Sequence, residues 1–182
     1  SPLMPMASSA TTVALAYTHG CYLTRGGGVF CFGGNGAGEL GRGNTTPLGG
    51  SVGDAAAAVP VDLDGPVKSL AAGWRFTCAL LSDGRVKCWG YNADGQLGLG
   101  DTASRGDNAN EMGPNLPAVD LGGSRRAVQV AAGRNFACAI LDNGSVKCWG
   151  SNNYGQLGIG ASTSEKVGDA PGEMGTNLAA VN

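Results

Sequence analysis

The chain has 182 residues, a net charge of −2 and a charged fraction of only 14%. A nucleic-acid-binding domain normally carries a basic face, so this charge balance argues against nucleic acid as a partner. No apolar run approaches the ~20 residues that a membrane-spanning helix needs, so no membrane span is expected. Glycine supplies 33 residues, a density that indicates many tight turns between short strands.

Residues 1–10 contain two prolines and no hydrophobic period, and we interpret them as a lead-in segment. A repeated unit follows, and its first cysteines (Cys21, Cys78 and Cys138) are 57 and 60 residues apart. A fixed period of this size is typical of a propeller or a solenoid. We assign the three units to residues 11–63, 64–121 and 122–182.

Each unit contains two short apolar arms joined by Gly-Gly, Asp-Gly or Asn-Gly, which is the strongest local signal for a β-hairpin. In the second unit, a three-residue loop sets Leu80 opposite Val86 and Cys78 opposite Cys88. Directly opposed residues bring their Cβ atoms to about 4.5–5.5 Å, near the separation that a disulfide accepts. The same register predicts three bridges: Cys21–Cys31, Cys78–Cys88 and Cys138–Cys148.

Six reduced, buried cysteines are the alternative. A zinc site is not expected, because the cysteine spacing matches no zinc pattern and His19 is the single histidine. If the bridges form, they place the protein in an oxidising compartment: secreted, periplasmic or at the cell surface.

Four strand candidates fill each unit, as in one blade of a β-propeller. The hairpin supplies the second and third strands. The first strand is predicted at Thr12–Ala16, Val67–Ala72 and Ala127–Ala132, and the fourth at Ala58–Leu63, Pro117–Leu121 and Ala179–Val181. The fold class is therefore all-β, with three four-stranded antiparallel blades. A long polar segment separates the third and fourth strands, and loops of this length are usually functional or disordered.

The repeated pattern resembles the regulator of chromosome condensation repeat. The residues that carry the resemblance are Leu70–Gly73 with Val86–Gly98, and Val128–Gly133 with Val146–Gly158. The first unit departs from the pattern, since it has Phe32 for tryptophan, Glu39 for glutamine and Ala16 for a strand-ending glycine. The paired cysteines are similar to those of extracellular members. The resemblance implies a seven-bladed propeller that binds protein partners through loops on one face.

Six residues of the repeated frame are expected to be structural anchors: Phe32, Trp89, Trp149, Leu40, Leu97 and Leu157. Three blades leave one face of the first blade and one face of the third uncovered. Apolar patches of this kind are too large to be idle on a soluble monomer. We therefore expect the arc to belong to a six- or seven-bladed ring or to an open assembly, either within a longer chain or through association of copies.

No catalytic constellation, metal-ligand pattern or cofactor motif is visible, so the protein is not expected to be an enzyme. His19 is interpreted as a packing residue rather than a catalytic base. Two glycosylation sequons begin at Asn44 and Asn143.

The loop after each first strand varies while its frame repeats, and it contains residue types that dominate interface energetics. These candidate partner-binding residues are Tyr17, Thr18, Trp74, Arg75, Arg134 and Asn135. The sequence predicts a non-catalytic extracellular module for protein interaction or self-assembly, and the alternative is a carbohydrate- or cell-surface-binding module that uses Trp74 and the long loops.

Overall fold

The structure, a computed structural model, describes residues 10–51, 54, 58–160 and 166–181. It contains three antiparallel sheets. The first blade comprises β1 (Ala10–Leu15), β2 (His19–Thr24) and β3 (Val29–Gly33); the second comprises β4 (Val67–Ala72), β5 (Phe76–Leu81) and β6 (Val86–Gly90); the third comprises β7 (Ala127–Ala132), β8 (Phe136–Leu141), β9 (Val146–Ser151) and β10 (Lys166–Val167). A short 3₁₀ turn spans Gly113–Asn115. Nothing in that part of the chain is a helix long and apolar enough to cross a membrane.

The predicted hairpins are confirmed in register. Cys78 lies opposite Cys88, and Leu80 lies opposite Val86. The turn closes through a hydrogen bond from the Gly84 N–H to the Leu81 carbonyl, with Gly84 at a φ of +88°. Glycine adopts this left-handed conformation without a Cβ clash.

Each cysteine pair is disulfide-bonded across its hairpin, and the cysteine Cα atoms are 4.0, 4.1 and 4.0 Å apart in the first, second and third blades. A bridge that closes so short a loop stabilises the fold by roughly 2–3 kcal/mol in the chain-entropy model. The bridges fix the second and third strands of every blade independently of the packing between blades.

The predicted fourth strands are wrong. None of the segments 58–63, 117–121 and 179–181 forms a strand. Each makes a main-chain hydrogen bond to the third strand, for example 2.8 Å from the Val119 N–H to the Val86 carbonyl, and the last adds an isolated bridge between Lys147 and Ala180. Pro117, two residues before the donor Val119, offers no N–H on the side of the third strand, which shortens the pairing in the second blade.

A second contact forms at the far end of the third strand. It is an isolated bridge in the first two blades, Gly33 with Leu48 and Gly90 with Arg105, and it is the short strand β10 in the third. Within the described residues the blades therefore have three, three and four strands. The first strand of the first blade begins at Ala10, two residues earlier than predicted, while residues 1–9 of the predicted lead-in lie outside the described residues.

The second blade is packed on both faces. Every residue of β5 is buried, whereas burial alternates along β8 of the third blade. One core cluster joins the first blade to the second, for example Cys21 and Leu23 with Ala79, and another joins the second to the third. The chain is therefore an arc of three stacked sheets, as the propeller interpretation predicts.

Candidate protein-docking surface

The loops that connect the first and second strands lie at the same end of the three blades. Main-chain hydrogen bonds hold them in place, including one of 2.9 Å from the Trp74 N–H to the Arg134 carbonyl of the next blade. A second bond of 2.9 Å runs from the Tyr91 N–H to the Arg75 carbonyl. These two bonds bring side chains from the second and third blades together.

Four side chains form what we call the Trp74 surface: Trp74, Arg75, Tyr91 and Arg134. The Trp74 and Tyr91 rings meet edge to face with their centroids 6.2 Å apart. The Arg134 guanidinium lies 5.2 Å from the centre of the Trp74 ring, and that of Arg75 lies 5.4 Å from the Tyr91 ring. Such cation–π contacts orient the guanidinium groups while leaving their N–H groups able to donate.

Arg75 is already paired. Its Nε donates at 2.8 Å to Oε1 of Glu39, a buried carboxylate of the first blade. The other carboxylate oxygen accepts a hydrogen bond of 2.6 Å from the Ala37 N–H. Glu39 stands where the other units have Gln96 and Gln156, so the departure from the repeat supplies the charge partner of Arg75.

Arg134 differs from Arg75 in being exposed and in making no ion pair within the described residues. Nearby, Asp94 accepts a 2.8 Å hydrogen bond from Asn135 and lies 3.1 Å from the Lys166 ammonium. The acidic side chains around the surface are thus used by other cations, and Arg134 is left as the accessible positive charge.

The structure brings only some of the predicted binding residues together. Trp74, Arg75 and Arg134 come together, and Asn135 borders them. Tyr17 and Thr18 are exposed, but no hydrogen bond, ion pair or ring contact joins them to the Trp74 surface in the described ranges.

Tyr91 was missed by the sequence analysis because it lies inside the repeated turn that was interpreted as frame. The signal was present, since the equivalent positions hold Gly34 and Ser151, so this position varies as the other candidates do.

Five of the six predicted anchors are completely buried: Trp89, Trp149, Leu40, Leu97 and Leu157. Phe32 is only half-buried. The Trp89 indole Nε1–H donates at 2.9 Å to the Glu39 carbonyl of the preceding blade, and Trp149 donates at 3.0 Å to the Gln96 carbonyl. The tryptophans therefore fasten each blade to the turn of the one before it.

The long polar loops pack between blades. The Gly43 N–H donates to the Gly106 carbonyl and the Gly100 N–H to the Gly168 carbonyl, both at 2.9 Å. Acidic residues in these loops turn inward: Glu173 accepts three main-chain N–H groups through one oxygen at 2.8–3.1 Å. The loops therefore stabilise the contact between blades, which the sequence did not predict.

His19 is buried between the first and second blades. Its Nε2 is 2.8 Å from the Thr77 hydroxyl, and its Nδ1 has no partner among the described residues. Burial lowers the pKa of His19, and the charge of Glu39 opposes this shift only in part. Phe76 and Phe136 hold the equivalent position in the other blades, in keeping with a packing role.

This burial predicts a pH dependence. Because the folded-state pKa lies below the ordinary 6.5, the unfolded chain binds a proton that the folded chain does not as the pH falls through 6.5. The contribution of His19 to the free energy of unfolding is expected to be full above that pH and to decrease below it. Urea unfolding of the wild type and of His19→Phe, at neutral and at mildly acidic pH, measures this. Equal losses of stability on acidification in both proteins would contradict the assignment.

The two sequons differ in exposure. Asn143 is exposed at a hairpin turn, where its side-chain oxygen accepts hydrogen bonds from the Ser145 N–H and hydroxyl at 3.1 and 2.8 Å. Asn44 is half-buried, and its side-chain oxygen accepts a hydrogen bond of 2.9 Å from the Thr46 N–H. Their glycosylation stays a prediction.

Comparison with known proteins agrees with the architecture. The family model of the regulator of chromosome condensation (RCC1) repeat matches residues 26–80 and 83–140, and a second model of the repeat matches residues 67–96 and 127–156. The chain is 29% identical to the ultraviolet-B receptor UVR8 of Arabidopsis thaliana, over 82% of this chain and 31% of that protein. It spans about a third or less of the length of the curated relatives that it matches.

Two solved structures share the fold. The crystal structure of human WBSCR16 superposes with a TM-score of 0.67 at 26% identity, covering 87% of this chain and 38% of the other. The crystal structure of Prp20p from Saccharomyces cerevisiae superposes with a TM-score of 0.65 at 20% identity, covering 95% of this chain and 39% of the other. The stacked sheets, the tryptophan contacts between them and the matched repeats together show that the chain belongs to the regulator of chromosome condensation (RCC1) repeat family of β-propellers.

Proposed function

We propose that the chain is a non-catalytic, extracellular protein-interaction module that binds an acidic segment of a partner protein through the Trp74 surface. The observation that carries this proposal is Arg134, an exposed guanidinium held over the Trp74 ring with no ion-pair partner among the described residues. Tryptophan, tyrosine and arginine are the residue types enriched at binding hot spots. Repeats of this family are typically protein-interaction modules, and the Prp20p structure is described with the binding of that protein to Gsp1p and histones.

The charge distribution supports an acidic ligand. The buried carboxylate of Glu39 neutralises Arg75, and the carboxylate of Asp94 neutralises Lys166. A carboxylate that approaches the surface therefore meets Arg134 as the accessible charge, and it can accept two parallel N–H hydrogen bonds from the guanidinium. The neighbouring rings supply rigid apolar area at a low cost in conformational entropy.

A peptide titration tests this proposal. A fluorescent peptide of alternating glutamate and alanine is expected to bind the wild type, and a lysine–alanine peptide of equal length is not. Arg134→Gln is expected to weaken binding about tenfold, equivalent to about 1.4 kcal/mol, while Arg25→Gln, at an exposed hairpin turn of the first blade, is expected to leave it unchanged. Equal affinity in the two variants would contradict the role of Arg134.

The carbohydrate alternative depends on stacking of a sugar ring on Trp74. The Arg134 guanidinium already lies over this indole, which favours the peptide over a sugar. Glycan-array binding that disappears in Trp74→Ala and survives in Arg134→Gln would favour the carbohydrate instead.

The extracellular location is supported by the pairing of all six cysteines within the blades. Native protein isolated without reductant is expected to have a mass lower by six hydrogens than the reduced chain and to take up no alkylating reagent before denaturation and reduction. Six alkylated thiols in the native protein would remove the argument for an oxidising compartment.

Association with further blades, from a longer chain or from other copies, is a second candidate role. The observation that favours it is the open face of the first blade, where Val13 and Leu15 are 58% and 67% exposed. In the third blade, Val130 occupies the position of Val13 and is buried against the second blade. Sedimentation of the purified chain, which has a mass of 18.1 kDa, measures association of copies directly.

A further inference from the structure

The interface between the first and second blades is repeated between the second and third blades. These two copies indicate which residues the open side of the third blade can bind. In both copies a tryptophan of the later blade donates its indole N–H to a carbonyl in the turn of the earlier blade, Trp89 to Glu39 and Trp149 to Gln96. A glycine two residues after that carbonyl lies beneath the indole. A Cβ atom at Gly41 or Gly98 would be 3.1 or 2.8 Å from the indole nitrogen.

The third blade carries the same turn. The Leu157 N–H donates to the Asn152 side chain at 3.1 Å, as the Leu97 N–H donates to Asn92 at 2.9 Å. Gly158 has a φ of +64° where Gly98 has +67°. The Gln156 carbonyl therefore stands in the position of the Gln96 carbonyl, and it accepts no hydrogen bond from the described residues.

This third turn is also uncovered. A Cβ atom at Gly95 would lie 2.5 Å from the Asp169 N of the following blade, whereas a Cβ atom at Gly155 meets nothing within 4 Å. The adjacent outward residues of β8 are only half-buried, while their equivalents in β5 are buried: Phe136, Cys138 and Ile140 against Phe76, Cys78 and Leu80. We call this region, from β8 to the turn 152–158, the blade-3 face.

The open side of the first blade lacks the residues that the second and third blades present to the blade before them. Alternation along the strands places Tyr22, Phe30 and Phe32 on the side that faces away from the second blade. The second blade has Ala79, Lys87 and Trp89 at these positions, and the third has Ala139, Lys147 and Trp149.

The differences at Tyr22 and Phe32 oppose seating of the first blade on the blade-3 face. Ala79 and Ala139 are completely packed between sheets, whereas Tyr22 carries a ring that stacks on Phe30 with the centroids 5.4 Å apart. Phe32 has no N–H to donate, so the Gln156 carbonyl would be desolvated without a partner. Overpacking and an unsatisfied acceptor are both destabilising.

We infer that the blade-3 face is a preformed docking site for a further blade with a tryptophan at the position of Trp89 and Trp149, and that it rejects the first blade of a second copy. The blade-3 face is separate from the Trp74 surface, so the docking of a further blade and the binding of an acidic peptide are tested independently. The inference refines the second candidate role, because it predicts that the chain does not close head to tail with itself.

A gain-of-assembly variant tests the inference. The triple substitution Tyr22→Ala, Phe30→Lys and Phe32→Trp gives the first blade the residues of the second. In sedimentation at micromolar to millimolar concentration, the wild type is expected at 18.1 kDa and the triple variant at twice that mass or more. The double variant Tyr22→Ala and Phe30→Lys keeps Phe32, which offers no indole N–H to the Gln156 carbonyl, and is expected to stay at the mass of one chain.

Two results would overturn the inference: a folded triple variant that stays at the mass of one chain, or a wild type that sediments at twice that mass or more. Circular dichroism shows whether the triple variant folds.

If the triple variant does not fold, a lengthened chain provides the test. Residues 122–182 are repeated directly after the chain, either unchanged or with phenylalanine in place of the tryptophan of the added copy. The unchanged extension is expected to raise the unfolding temperature above that of the phenylalanine version, and equal temperatures would overturn the inference.

Discussion

Trp89→Ala is expected to lower the free energy of unfolding by about 3–5 kcal/mol, the range for truncating a buried aromatic residue. Trp89 is completely buried between the first and second blades, and its indole donates to the Glu39 carbonyl. The substitution therefore removes packing on both sheets and leaves that carbonyl without its donor. Urea unfolding followed by circular dichroism measures the loss.

Two control variants separate the contributions. Trp89→Phe keeps most of the ring volume and removes the donor, so we expect a loss of about 1–3 kcal/mol, the cost of an unsatisfied buried acceptor. Trp74→Ala removes a partly exposed indole from the docking surface and is expected to affect stability less than either Trp89 variant. A larger loss for Trp74→Ala than for Trp89→Ala would contradict the proposed division between structural and binding tryptophans.

Gly90→Ala is the second substitution with a large expected effect. Gly90 has a φ of +105°, and a Cβ atom there would lie 2.5 Å from the Arg75 carbonyl oxygen and 2.8 Å from the Phe76 Cα. Both obstacles are main-chain atoms, which cannot rotate away as a side chain can. We expect the free energy of unfolding to fall by about 3 kcal/mol or more. Ordinary single substitutions lower it by about 0.5–3 kcal/mol.

The position also connects stability to binding. The Arg75 carbonyl that the new methyl group would meet accepts the Tyr91 N–H, so displacement there also moves two members of the Trp74 surface. Gly26→Ala is the matched control, since a Cβ atom at Gly26 meets nothing within 4 Å. Thermal unfolding and the acidic-peptide titration of both variants measure the two effects. Similar values for Gly90→Ala and Gly26→Ala would show that the close approach at Gly90 does not constrain the fold.

Local chemistry explains why the hairpins could be predicted from sequence. A glycine turn between two short apolar arms sets the register within a few residues, and that register places Cys78 opposite Cys88. Repetition explains why the anchors could be predicted, since a residue such as Trp149 that recurs in an otherwise variable unit indicates packing. Neither signal depends on how the blades contact one another.

Contacts between blades account for most of what the sequence did not reveal. Glu39 pairs with Arg75 from a position 36 residues earlier, and His19 contacts Thr77 across 58 residues. Pairs so distant leave no periodic trace in a single sequence. The same reason applies to the long loops. Their hydrogen-bond partners lie in the neighbouring blade, so the sequence predicts functional or disordered loops where the structure has packed ones.

The prediction of the fourth strands is wrong for a different reason. Extended apolar segments such as residues 117–121 look like strands, but pairing also requires N–H donors at the correct spacing, and Pro117 lacks one. Tyr91 was overlooked because it lies in a repeated turn, although its own position is variable. The three equivalent positions hold Gly34, Tyr91 and Ser151, and this variation is the signal that distinguishes Tyr91 from the repeated frame.

The three tryptophans provide the most direct test of the account, because each indole N–H gives its own signal in a nitrogen–proton correlation spectrum. During titration with the glutamate–alanine peptide, the Trp74 signal is expected to shift, while those of Trp89 and Trp149, which are buried between blades, stay in place. A Trp74 signal that does not move, or a shift of the two buried indoles instead, would contradict the account.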